Sequence, residues 1–259
     1  MPELPDVEAF RKVLDSCAGG RTIQRVEVRD TGVLHGMSAA RFSGELEGHR
    51  FEMSERHGKW LLARTDGPML LVHFGMTGLF VCCRPDDSPH PHDRVVFTLD
   101  DDHQLRYRDQ RKLKGMWLAG TQDVDRLLAG QGPDAAEIDR EEFEQLLARR
   151  RGGVKSALID QSNLAGLGNL LADEILWRAH VDPARKAGKL TERERGRLYT
   201  DMRRTVRSAV SAGRVPPRKS WLTGHRDERA ATCPRCGERL RRGRVSGRST
   251  VWCPHCQTG

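Results

Sequence analysis

The sequence predicts an α+β chain of several domains: a β-sandwich entered through one N-terminal helix, an all-helical second domain, and a C-terminal β-hairpin module. Three observations predict it. Short β-prone runs separated by turn residues fill the chain to about residue 120. Helical periodicity replaces them after Gly132-Pro133, and two CPxC pairs lie at the C-terminus. The expected domains are residues 1-130, 131-225 and 226-259.

The opening helix is signalled by Pro5, which suits a first turn, by acidic Asp6 and Glu8 behind it, and by Val7, Phe10, Val13 and Leu14 on one face. Gly19-Gly20 ends it. Strands are expected at 23–28, 60–64, 69–74, 95–99 and 105–108, with turns such as Asp66-Gly67-Pro68 and Asp100-Asp101-Asp102 between them. In the second domain, Ile138, Phe143, Leu146 and Leu147 mark a helix over 135–150. Further helices are expected at 154–160, 169–178 and 190–212. The stretch 213–228, with Pro216, Pro217 and many basic residues, reads as an irregular arm.

At 259 residues and 37% hydrophobic content, the chain can bury a sizeable core. Lys and Arg number 44 against 36 Asp and Glu, and the net +8 favours a polyanionic partner. No apolar run approaches the roughly 20 residues of a membrane helix, and MPELPDVE lacks a signal-peptide pattern, so no membrane partner and a cytoplasmic location are expected. Cys17, Cys82 and Cys83 look unpaired, which fits a reducing compartment.

The other four cysteines point to metal. Cys233-Pro-Arg-Cys236 and Cys253-Pro-His-Cys256, with sixteen residues between the pairs, place four thiolates where two tight turns close on one tetrahedral ion. A single structural zinc is the expectation, since four thiolates leave no open coordination position. His255 is a conceivable substitute ligand that the cysteines make unnecessary. Between the pairs, Arg239, Arg241, Arg242, Arg244 and Arg248 lie along an expected hairpin with its turn at Ser246-Gly247. Arginine on such a finger suits phosphate, because its planar fork makes paired hydrogen bonds.

Pro2 is small enough to permit removal of Met1, which would expose a secondary amine. An α-amino group has a pKa of about 8 against about 10.4 for lysine, so a far larger fraction of it is uncharged and nucleophilic at neutral pH.

MPELPDVE, HGKWLL, HFGMTG, DQSNLAGLGN and the terminal cysteine pairs together resemble the formamidopyrimidine-DNA glycosylase and endonuclease VIII family over nearly the whole chain. The resemblance implies a helix-two-turn-helix element in the helical domain and a bifunctional glycosylase and lyase acting on double-stranded DNA with a damaged base or abasic site. It implies no organic cofactor, and a monomer is expected. Pro2 would attack the deoxyribose C1′ to release the base through a Schiff base, and β,δ-elimination would break the strand on both sides. Glu3 matches the general acid/base and Lys59 the essential lysine near phosphate.

A base inside the duplex has to be turned out and its place filled. Met76, between Gly75 and Gly78, matches the wedge, and Arg111 the arginine that pairs with the opposite base. Leu113 departs from the phenylalanine often found there, which leaves opposite-base preference open. Asn169, Lys155, Arg248 and His92 match phosphate contacts, with Gly168 permitting a phosphate to approach the helix-start amides. Asp6 replaces the common glutamate at a lesion-facing position, and the stretch before Cys233 looks short. Both weigh against 8-oxoguanine, while oxidised pyrimidines, ring-opened purines and hydantoins all stay open. Two rivals stand beside this reading: a catalytically silent damage-binding protein of the same fold, and a zinc-ribbon factor for RNA or transcription machinery.

Overall fold

The computed structural model describes residues 1–258. The chain divides into two compact units, Met1–Pro2 with Asp6–Ala129, and Glu3–Pro5 with Gly130–Gly259.

In the first unit, α1 (Leu4–Ala18) carries Asp6 in its first turn and turns Val7 and Leu14 into the core. It stops where expected. Gly20 has φ +76, and a Cβ on Gly19 would lie 2.5 Å from the Asp15 carbonyl oxygen. There follow β1 (Ile23–Val28), α2 (Ala39–Leu46), β2 (Phe51–His57), β3 (Trp60–Thr65), β4 (Met69–His73), β5 (Leu79–Cys83), β6 (Asp93–Leu99), β7 (Gln104–Arg108), β8 (Met116–Ala119) and α3 (Thr121–Leu128).

Two antiparallel four-stranded sheets result, in the orders β1-β6-β7-β5 and β2-β3-β4-β8. Both feed one core. Phe51, Leu61, Ala63, Leu70 and Val72 from the second sheet meet Val26, Phe80, Val95, Phe97 and Leu105 from the first. Alternation does the sorting: Leu61 and Ala63 point into this core, while their neighbours Trp60 and Leu62 join Leu71, Ala119 and Val124 in a second cluster.

The single helix expected of this unit is corrected to three, because α2 and α3 are each only eight residues long and give little periodicity to read. The cysteine reading is corrected too. Cys17 on α1 and Cys82 on β5 form a disulfide, with Cα atoms 5.8 Å apart, and Cys83 is the free thiol.

The second unit holds α4 (Arg140–Ala148), α5 (Val154–Ile159), α6 (Asn169–Arg178) and α7 (Glu192–Ser211) around one apolar core, to which Leu4 also contributes. The helix expected from residue 135 begins at 140, because the Asp139 side chain accepts from the Glu142 amide at 2.9 Å and caps it there. Thr191 and Glu194 close a reciprocal capping box on α7. Beyond α7, the arm is irregular apart from one 3-10 turn at Leu222–His225, and β9 (Arg241–Val245) pairs with β10 (Arg248–Trp252). Their turn is the expected one, with Ser246 at φ 51 and Gly247 at φ 74.

Candidate active site and nucleic-acid interface

Glu3 is buried, and its placement follows from the start of α6. One carboxylate oxygen, Oε1, accepts from the Leu170 amide at 2.8 Å, while Oε2 accepts from Gly168 at 3.0 Å and Leu171 at 3.1 Å. The first-turn amides of a helix lack partners within it and carry the positive end of its dipole, so a carboxylate is well held there. Those amides were expected to face a phosphate; the structure gives them to Glu3 instead. The preceding loop is built for this approach. The Leu4 amide donates to the Gly166 carbonyl at 3.0 Å, and a Cβ on Gly166, at φ +106, would lie 2.6 Å from Leu4 Cδ1. Gln161 ties the loop internally, accepting from the Gly166 amide and donating to the Leu167 carbonyl.

Pro2 precedes this anchored carboxylate in sequence and is half-buried, whereas Met1 is 54% exposed. Asp6 sits partly buried on the first turn of α1.

In the first unit, Lys59 lies in the tight β2–β3 turn, where Gly58 takes φ +57, and its side chain is largely buried. Sequence reasoning passed over His73, the first residue of HFGMTG. Burial, followed by the charges of Lys114 and Lys59, pushes its imidazole down to about 4, so the ring is neutral at physiological pH. Its Nδ1 accepts from the Gly75 amide at 3.1 Å, which holds the start of the Gly75–Gly78 turn.

The two expected wedge segments are joined through Asp109, another residue the sequence did not single out. The Asp109 Oδ1 accepts from the Thr77 hydroxyl at 2.5 Å and the Arg111 amide at 3.0 Å, and Oδ2 accepts from Tyr107 at 3.2 Å. Arg111 reaches the Met76 sulfur at 2.9 Å. Met76 and Leu113 stay 38% and 50% exposed, two of the four large apolar side chains so exposed among the described residues. Uncovered apolar groups on braced loops suit insertion between bases. His92 is half-buried, with Nδ1 3.1 Å from an Arg94 nitrogen.

In the second unit, Lys155 is not the surface cation expected from the sequence. It is fully buried, with its amine 2.6 Å from Asp173 Oδ1, 2.7 Å from the Thr250 hydroxyl and 3.1 Å from the Ser249 carbonyl. The same carbonyl accepts from Asn169 Nδ2 and an Arg226 guanidinium nitrogen, both at 2.9 Å. Arg226 also pairs with Asp173, whose carboxylate takes the Val251 amide at 3.2 Å. Lys155, Asn169, Asp173 and Arg226 thus grip the hairpin beside exposed Arg248. A region this rich in donors around one carbonyl suits a neighbouring anion.

The four cysteine sulfurs of the hairpin module lie within 4.8 Å of one another, with pairs at 3.4, 3.6 and 3.9 Å. A tetrahedral zinc with bonds of about 2.3 Å separates its sulfurs by about 3.8 Å, so these residues fit one structural ion. Trp177 Nε1 donates to Cys233 Sγ at 3.3 Å, an outer contact typical of a metal thiolate.

Family models match three successive stretches: the formamidopyrimidine-DNA glycosylase N-terminal domain over residues 1–116, its H2TH domain over 129–218, and a zinc finger found in FPG and IleRS over 232–259. The chain belongs to the formamidopyrimidine-DNA glycosylase family. A member of that family from Symbiobacterium thermophilum is 38% identical over 278 residues, covering 99% of this chain and 89% of the relative. Among solved structures, the Lactococcus lactis Fpg bound to DNA containing an abasic site superposes with a TM-score of 0.89 at 28% identity, covering 100% of both chains. The Lactococcus lactis protein bound to DNA containing an oxidized pyrimidine gives 0.89 at 26% identity, again over 100% of both chains.

Proposed function

We propose that the chain is a bifunctional enzyme, a DNA glycosylase that also opens the strand at the resulting abasic site, with Pro2 as its nucleophile. The glycosylase half follows from its family, as do base-excision repair as its role and duplex DNA with a damaged base as its substrate. The observation that carries the chemistry is the Glu3 carboxylate, fixed by three backbone amides at the residue after Pro2.

With Met1 removed, the Pro2 nitrogen attacks C1′ and the bond to the damaged base breaks, the base leaving with the electron pair and taking up the proton that the nitrogen sheds. The sugar ring opens as Glu3 delivers a proton to its oxygen, and the nitrogen lone pair forms an iminium with C1′. Loss of a proton from C2′ then expels the 3′ phosphate, and a second elimination expels the 5′ phosphate. Lys59 is assigned to the phosphate near the lesion, while Met76 and Leu113 fill the vacated stack and Arg111 meets the opposite base. Asn169, Arg248 and His92 take flanking phosphates, with Lys155 acting on the backbone only through the hairpin it holds. Zinc supplies folding free energy to that hairpin and no chemistry.

Division into catalytic, helix-two-turn-helix and zinc-hairpin domains at about residues 130 and 225 accords with these tasks. A duplex-DNA substrate supports action in the cytoplasm, and no described helix is long and apolar enough to cross a membrane. Asp6, shorter by one methylene than the usual glutamate, weighs against 8-oxoguanine as the preferred lesion.

Borohydride trapping on a duplex with one defined lesion tests the reading. A covalent protein–DNA adduct whose mass places the link on Pro2 is expected. Full excision by protein that retains Met1 would overturn it, and a panel of lesions and opposite bases, scored separately for base release and strand cleavage, ranks substrates.

A further inference from the structure

We propose that the exposed face of α7 binds the phosphate backbone of a second DNA duplex, apart from the surface around Asn169 and Arg248. Of the six arginines on this helix, Arg195 and Arg203 donate to the carbonyls of Leu190 and Ala136. The other four, Arg193, Arg197, Arg204 and Arg207, are exposed and have no ion pair or side-chain hydrogen bond among the described residues. Elsewhere in this unit some arginines are met by carboxylates, as Arg140 is by Glu144, Arg178 by Glu174 and Arg185 by Glu194, while exposed Arg149, Arg151, Arg214 and Arg218 have no such ion pair but do not share one helix face.

Their spacing makes a row. At 100° per residue, steps of four, seven and three keep all four within about 80° of arc, along roughly 21 Å of helix. Leu198, Met202, Val206 and Ala209 occupy the opposite side and pack into the helical core, where α7 meets α4 and α6. Asn169 begins α6, so the row looks away from the helix on which that expected phosphate contact sits.

Chemistry selects the partner. Thr200, exposed within the row, adds a hydroxyl, and no aliphatic or aromatic side chain interrupts it. A protein interface would need an apolar, aromatic-rich centre, which this face lacks. Asp201 lies on the flank of the row, while Glu194 is spent on Arg185 and Thr191. Near its N-terminal end the row opens, at Arg197, onto a cleft of about 530 Å³ that is also lined by Arg235, Glu194, His180 and His255. Unpaired guanidinium groups in line match a regularly charged backbone, and a DNA-bound enzyme always has more duplex nearby. Such a face would let the enzyme hold a neighbouring segment before leaving the first.

The test saturates the holoenzyme with an unlabelled short duplex carrying an uncleavable abasic-site analogue, then titrates in a fluorescent undamaged duplex and follows anisotropy. Binding of the second duplex is expected, with log affinity against log salt falling at a slope of about −4 for four phosphates. Replacing Arg193, Arg197, Arg204 and Arg207 together by glutamine should weaken that second binding at least tenfold. Replacement by lysine should preserve most of it, and the glutamine variant should excise a lesion from a short duplex at the unaltered rate. No second duplex on the wild-type protein, or equal binding by the glutamine variant, overturns the proposal. So does a loss confined to a polyglutamate probe, which would assign the face to an acidic protein. Failure of lesion excision by the wild-type protein would instead strike the glycosylase reading, so the two failures are distinguishable.

Discussion

Gly168 and Glu3 approach so closely that a Cβ at residue 168 would lie 2.2 Å from the Glu3 carboxyl carbon. No rotation of an added methyl relieves that contact, so any side chain there displaces the acid. Gly168→Ala is therefore expected to behave like a lesion in the chemistry although it lies 165 residues away in sequence. Single-turnover base release should fall by about 100-fold, in the range for loss of a positioned general acid, with duplex affinity nearly kept. Unchanged release would remove the anchored carboxylate from the mechanism.

Lys155 and Asp173 give a different signature. Deleting one member of a buried pair strands the other, at a cost of about 3–5 kcal/mol, so Lys155→Met should destabilise strongly by urea titration. Asp173 would then face the interior with only Arg226 and the Val251 amide. Because Lys155 also holds Ser249 and Thr250, a chelator should strip zinc from the variant faster than from wild type. Equal zinc loss would disconnect this pair from the hairpin.

His73 sets a pH dependence. Its imidazole is held down to about 4 against the usual 6.5, so the unfolded chain takes up a proton first as pH falls. Stability is full above pH 6.5 and declines as pH falls from there to about 4, by roughly 3 kcal/mol from this group alone. Comparing urea midpoints of wild type and His73→Gln at pH 7 and pH 4 isolates the contribution. A wild-type protein that loses no more than the variant would contradict a neutral, buried ring.

The Cys17–Cys82 disulfide closes a loop with a sequence separation of 65. Constraint of the unfolded chain by a loop of that size contributes about 4 kcal/mol on the chain-entropy account. Cys17→Ser should lose about that much without reductant and show no difference from wild type once both are reduced. Mass spectrometry of alkylated, non-reduced, zinc-free protein gives the direct count: five of the seven cysteines should be alkylated, and alkylation of all seven would overturn the disulfide.

Much of this was legible in the residues because local rules and the fold agreed. The core strands alternate, α6 is bounded as its apolar pattern implies, and the CPxC pairs converge. The short helices α2 and α3 were not legible, since eight residues hardly exceed two turns. Lys155 misled because a lysine is rarely buried, and only a partner such as Asp173, supplied by another helix, makes burial tolerable. The Cys17–Cys82 link escaped because pairing depends on α1 crossing β5, a distance no spacing reveals. Asp109 gave no sequence signal of its own, yet it is fully buried and braces both wedge segments.

The assignment of Glu3–Pro5 to the second compact unit has a consequence for synthesis. The ribosome delivers Glu3 first, but the helix whose amides hold its carboxylate ends at Arg178. At roughly 5–20 residues per second, the newborn N-terminus waits on the order of ten seconds or more for its dock to emerge. A chain ended before that point has Glu3 without the helix-start amides that hold its carboxylate.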